Sequence, residues 1–188
     1  MTSVYRRILG DRLELLPESL RSFHDIEKPW RGTAMARIDR GPTILHSLVA
    51  TFGGLPPAQE RCPLHLDITP ATRWGLTGEL WRRDFGGFVL ESFQWAEGEL
   101  LRESFGWLSM AFRLTVDPPK LVLDVASVRF SGIPIPGFLA PGGTGIELGR
   151  DDGVAFEATA TAPLLGMVVR YQGLLVAEST PLAHSGSG

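Results

Sequence analysis

The sequence predicts an α+β fold dominated by antiparallel strands. It reads as a curled sheet of eight to nine strands or a β-barrel, with helices at the N-terminus and one further helix at about residues 43–52. Three observations predict this. From residue 63 onward apolar and polar residues alternate with a period of two, the pattern of strands with one buried face. Tight-turn signals punctuate the runs: Gly86-Gly87, Glu97-Gly98, Asp117-Pro118-Pro119 and Asp151-Asp152-Gly153. The gaps are too short for the crossovers that parallel strands require.

The elements follow in order. Ser3 is placed to cap a helical turn from Val4 to Leu9, which Gly10 ends. Pro17 stands at a natural first position for a second helix, with Glu18 in its first turn and Leu16, Leu20 and Phe23 on one face. This helical pair is expected to pack on the outside of the sheet. Residues 33–39 form a first strand. Ile44, Leu45, Leu48, Val49 and Phe52 mark an amphipathic helix that Gly53-Gly54 and Pro56-Pro57 terminate. The strand runs are then 63–69, 76–85, 87–96, 99–106, 107–116, 120–130, 154–161 and 164–177. The long interruption at residues 131–145 holds three prolines and five glycines, and reads as a structured loop with a short helical turn at 136–140. Such a meander tends to close, because closure removes exposed strand edges. Residues 1–180 are read as one barrel-like domain and 181–188 as a flexible tail.

Composition narrows the function classes. With 18 basic and 21 acidic residues, net charge −3, the chain lacks the basic surplus of a nucleic-acid binder. A single cysteine, Cys62, excludes an internal disulfide and a thiolate zinc cluster, and fits a cytoplasmic location. No run approaches a membrane span. No nicotinamide or flavin motif occurs, so no cofactor is expected, and self-association as a homodimer is compatible with the reading. His65 and Asp67 share a strand face but are too few to argue a metal site, so none is assigned. His24 is accounted for by the helix dipole. The Gly142, Gly143, Gly145 cluster resembles half a phosphate cradle but lacks a following lysine.

The out-of-place charges draw more attention. Glu103, Arg113 and Asp124 lie within strand runs. They either meet inside a pocket, where a desolvated carboxylate becomes a general acid or base, or pair across strands on a solvated outer face. Of 17 aromatic residues, 13 fall between residues 74 and 171, enough to line an apolar ligand site or to fill a core. The 131–145 loop is placed to act as a lid.

Several segments, taken together and in order, carry a resemblance: YRRILGDRLELLPESLRSFHD, LVATFGGLPPA, WRRDFGG, LLRESFG, FSGIPIPGFLAP and APLLGMVVRYQGLL. Across residues 4–176 they resemble the bacterial DUF4166 family, whose name declares its function unknown and whose members also occur fused to saccharopine dehydrogenase-like domains. DPPK before residue 120 and Gln172 depart from the family pattern. The match favours Glu103 and Tyr171, and adds Arg83 and Glu147 as a polar cluster near the barrel mouth. The resulting expectation is an isomerase or cyclase without cofactor, acting on an apolar small molecule. Its catalytic residues would be Glu103, Tyr171 and Arg113, and Trp81, Arg83, Phe105, Trp107, Asp124, Phe138 and Glu147 would contact the ligand. A non-catalytic module for a lipid-like ligand, or an interaction domain for a partner enzyme, is the alternative.

Overall fold

The computed structural model describes residues 2–178. Helix α1 (Val4–Leu9) starts at Ser3, whose hydroxyl accepts the Arg6 N–H, and a 3₁₀ turn (Gly10–Leu15) leads into α2 (Glu18–His24). Strand β1 (Trp30–Arg40) is followed by α3 (Ile44–Phe52) and then by β2 (Gln59–Arg73), β3 (Leu76–Phe85), β4 (Phe88–Glu97), β5 (Leu100–Phe105) and β6 (Leu108–Asp117). The chain continues through β7 (Lys120–Phe130), the two-residue β8 (Ile133–Pro134), β9 (Gly142–Arg150), β10 (Gly153–Ala162) and β11 (Gly166–Ala177).

All pairings are antiparallel. The order runs β1-β2-β3-β4-β5-β6-β7-β9-β10-β11 and returns to β1, a closed barrel of ten strands with β8 appended to β7. The two strands beyond the eight or nine expected are β8 and β9. Strand β9 was hidden because GGTGIELGR is glycine-rich, and glycine has low strand propensity. The glycine cluster is strand backbone, not a phosphate cradle. Gly143 is required there by close approach, since a Cβ would lie 2.5 Å from the Thr159 carbonyl of β10.

The N-terminal helices are not on the outside. Val4, Tyr5, Leu13, Leu20 and Phe23 share one hydrophobic cluster with the inward residues Leu66, Ile68, Trp81, Leu101, Leu114, Leu121, Val154 and Leu175. The pair closes one end of the barrel as a plug. Its apolar face is buried because the strands there leave no other cover for their inward side chains. Gly149 makes room for it, since a Cβ would meet Pro17 at 2.7 Å. Polar latches fix the plug: the Val4 N–H donates to Glu79 Oε1 at 2.9 Å, and Arg7 Nη2 donates to the Thr77 carbonyl at 2.9 Å.

Helix α3 sits at the opposite end, beside β11. His46 Nε2 donates to the Leu165 carbonyl at 3.1 Å, so its Nδ1 accepts from the Thr43 hydroxyl at 2.6 Å. This side chain, buried at the helix start, anchors α3 across the rim. Among the described residues no helix is long and apolar enough to cross a membrane, and no group of His, Cys, Asp or Glu is arranged to hold a metal.

Candidate functional site

The barrel interior holds a cavity of about 450 Å³. It exists because its two walls are built from residues of different size. On β9 and β10 the inward, mutually opposed residues are Gly145 with Ala158 and Gly143 with Ala160. Across the barrel Leu64, Leu66, Trp81 and Leu90 of β2–β4 supply bulk, as do Leu108, Met110, Phe112, Leu123 and Val125 on the neighbouring β6 and β7. Small side chains on one wall leave space that the opposite wall does not fill. Tyr5 and Phe23 of the plug form the floor, while Val49 and Leu55 after β1 and Pro141 before β9 border the opening.

The polar groups gather on one side of the interior, on β3 to β5. Strand β3 points Glu79, Trp81, Arg83 and Phe85 inward, and β4 and β5 contribute Ser92, Gln94 and Glu103 beside them. Arg83 Nη1 donates to Ser92 Oγ at 2.9 Å and Nη2 to Glu103 Oε1 at 3.2 Å. Ser92 Oγ donates to the same Glu103 oxygen at 2.6 Å. The Arg83 guanidinium also lies over the Trp81 ring, 4.9 Å from its centroid. The side chains of Arg83 and Glu103 are only 13% and 7% exposed, so this is a buried ion pair. Burial works against the Arg83 charge, but Glu103 beside it holds the guanidinium above its ordinary value.

A second pair lies nearby. His24 Nε2 donates to Glu147 Oε2 at 2.5 Å, and the His24 ring stacks on Tyr5 with centroids 3.8 Å apart. His24 Nδ1 is buried without a partner among the described residues.

Two tyrosines complete the site. Burial is the main reason that the Tyr5 hydroxyl is pushed well above the usual phenol range; Glu147, Glu79 and Glu103 add to this, and Arg83 opposes it. Burial likewise raises Tyr171; Arg83 opposes it, and Glu103 and Glu147 add to it. Both phenols therefore stay protonated as donors. Both side chains line the same cavity as Arg83, Glu103 and Glu147. Neither is bound to another group among the described residues.

Of the residues expected from the sequence, Glu103, Tyr171, Trp81, Arg83, Phe105 and Glu147 line the cavity together. The polar ones run from Glu147, which meets His24 of the plug, to Tyr171, whose ring lies 5.5 Å from that of Phe85 at the β3–β4 turn. Arg113 and Asp124 do not join them. They face each other across β6 and β7 on the outer wall, both exposed, where Asp124 accepts the Thr144 hydroxyl at 3.1 Å. The inward residues of β6 are Leu108, Met110 and Phe112, so Arg113, at odd spacing from them, is turned out. Trp107 is exposed at the β5–β6 turn and Phe138 is exposed in the loop before β9. Asp67 pairs with Arg31 at 2.8 Å on the outer wall, away from any ligand set.

Sequence reasoning missed Tyr5, His24, Ser92 and Gln94. In β4 the polar Ser92 and Gln94 face in, while Phe93 and Trp95 face out, stack on each other and meet Trp74 edge-on. Alternation shows that two faces differ, but not which is inside when the outer face carries its own aromatic cluster.

The sequence profile of DUF4166, described as a domain of unknown function, matches residues 16–175. The chain belongs to the DUF4166 family. The matched span holds every strand of the DUF4166 barrel save the last two residues of β11, and every polar cavity residue above except Tyr5. No curated protein and no solved structure matches the chain.

Proposed function

We propose that this DUF4166 barrel takes a small apolar molecule bearing a carbonyl oxygen and rearranges it by acid–base chemistry, as an isomerase or cyclase. The observation that supports this reading is a pair of tyrosines, Tyr5 and Tyr171, that line the same largely apolar cavity as Arg83 and Glu103, with burial keeping both hydroxyls protonated. Such donors stabilise an oxyanion where water is excluded. Oε1 of Glu103 is engaged by Ser92 and Arg83, which leaves Oε2 to act as the base. In the proposed step Oε2 takes a proton from the carbon next to the carbonyl. The electron pair moves onto the oxygen, held by Tyr5 and Tyr171, and as it returns Glu103 gives the proton back at another carbon. In a substrate with a second carbonyl the enolate carbon instead attacks that carbonyl carbon, whose π pair moves onto its own oxygen and takes the proton from Glu103, closing the ring. The chain's two lysines, Lys28 and Lys120, are exposed, so an imine-forming amine is not among the cavity's resources.

A second reading, retention of an apolar ligand without turnover, is favoured by the mutual engagement of Arg83 and Glu103. Incubating the protein with apolar ketones in deuterated water separates the two. Exchange of the α-proton, lost in Glu103→Gln, supports catalysis. Binding without exchange supports retention. If Tyr5→Phe and Tyr171→Phe both bind a planar phenol, an enolate mimic, as tightly as the parent, the site assignment fails.

A further inference from the structure

We infer that the open end of the barrel docks onto the surface of a lipid bilayer, and that the cavity exchanges its ligand with that phase. The ligand clause rests on the function proposed above, whereas the docking stands on its own observations.

Antiparallel alternation sends the connections to opposite ends of the barrel in turn. Those after β1, β3, β5, β7 and β10 lie at the open end, and those after β2, β4, β6 and β9 lie at the plugged end. The open-end segments, residues 41–58, 85–90, 104–112, 130–146 and 158–169, contain no Asp, Glu, Lys or Arg. Each plugged-end connection carries charge: Arg73, Glu97 and Glu99, Asp117 and Lys120, Asp151 and Asp152. The open-end connections are thus uncharged, the nearest charges being Arg40 at the end of β1 and Glu60 and Arg61 at the start of β2.

The uncharged end is also where large apolar side chains project. Trp74, 71% exposed at the plugged end, lies edge-on to Phe93 and Trp95, whereas at the uncharged end Ile44 on α3, Trp107, Ile133, Phe138 and Leu164 are each at least 70% exposed. They come from four separate connections and ring the opening. Leu164 is the most telling: it sits at the β10–β11 turn with φ +65°, where glycine would serve the backbone better, and its side chain packs on nothing. Neither turn geometry nor core packing accounts for a leucine there.

A bilayer fits this ring better than a protein does. The protrusions are separated and uncharged, which suits insertion among fluid acyl chains and lacks the polar rim of a protein interface. Two copies meeting rim to rim would bring the projections tip to tip. The outer wall keeps ion pairs such as Arg31–Asp67 and Arg37–Asp39, so contact is confined to the rim and the barrel does not span. Val49, Leu55 and Pro141 carry the apolar surface of the rim into the cavity without interruption.

Flotation of the full chain with vesicles of neutral phosphatidylcholine tests this. Binding is expected to survive high salt and to gain little from anionic lipid. Phe138→Asp and Leu164→Asp, both at exposed positions, are expected to weaken it about tenfold or more, and the plugged-end control Leu15→Asp is expected to leave it unchanged. Bromolipid quenching of tryptophan emission is expected to fall in Trp107→Phe. No flotation with any vesicle overturns the inference. So does a concentration-dependent dimer that the two Asp variants abolish, because the face then joins two copies. Phenol binding to the lipid-free protein reads the cavity separately, so loss of docking with phenol binding intact overturns this inference alone.

Discussion

The first peptide N–H of α1, at Val4, is held by the carboxylate of Glu79 on β3, 2.9 Å away. One inward carboxylate of the barrel therefore caps the helix that plugs it. The same group accepts Trp81 Nε1 at 3.3 Å. Glu79→Ala is expected to cost about 1–3 kcal/mol by leaving these donors unpaired, measured by denaturant unfolding.

The same carboxylate sets a pH dependence. Burial, opposed by its bonds to Val4 and Trp81, raises the Glu79 pKa above the ordinary carboxyl value. The folded state then binds the proton more readily than the unfolded one. The contribution of Glu79 to stability is greatest below the unfolded value and falls as pH rises through the folded one. Glu79→Gln is expected to flatten this slope in unfolding curves taken from acid to neutral pH.

Asp25 is expected to act in the opposite sense. Its bond to Arg6 holds its pKa below the usual range, with burial opposing and Ser3 adding a hydrogen bond at 3.0 Å. This stability is present above the unfolded value and is lost as pH falls through the folded one. Asp25→Asn is expected to reduce the acid sensitivity of the plug, read by hydrogen exchange in residues 4–24.

Removing one partner of the buried Arg83–Glu103 pair is expected to cost about 3–5 kcal/mol, because the other charge stays buried and uncompensated. Replacing both, as Arg83→Met with Glu103→Leu, is expected to recover most of that loss. A double-mutant cycle checks it. Additive losses would show that the two side chains are not coupled.

Filling the cavity separates its role in function from its role in folding. Ala158→Leu on the small-residue wall places methyl groups into existing space, so stability is expected to hold or rise slightly. Ligand binding is expected to drop about tenfold or more. Calorimetry with the phenol probe gives both numbers in one series.

Much of the barrel was legible because period-two alternation and tight turns are local signals. The strands from β2 to β7, together with β10 and β11, announce themselves in this way. Strand β9 did not, since its pairing with β7 and β10 is a long-range fact that its glycines conceal. Glu103 and Tyr171 were legible from strand position and family resemblance combined. Arg113 and Asp124 were misplaced because a charge within a strand looks alike whichever face it occupies. Tyr5 reaches the cavity, and His24 reaches Glu147, only because the N-terminal helices fold into the barrel end, which helical periodicity does not encode.

The plug has one further consequence. By closing the floor it turns the barrel into a blind-ended tunnel, so whatever enters must leave by the same door. The carbonyl compound proposed above would then enter head first, its oxygen leading toward Tyr5 and Glu103 and its apolar tail trailing toward the opening. Selection then falls on the shape and chemistry of the leading group. Tail length is read weakly, because any excess extends out through the doorway rather than meeting a wall.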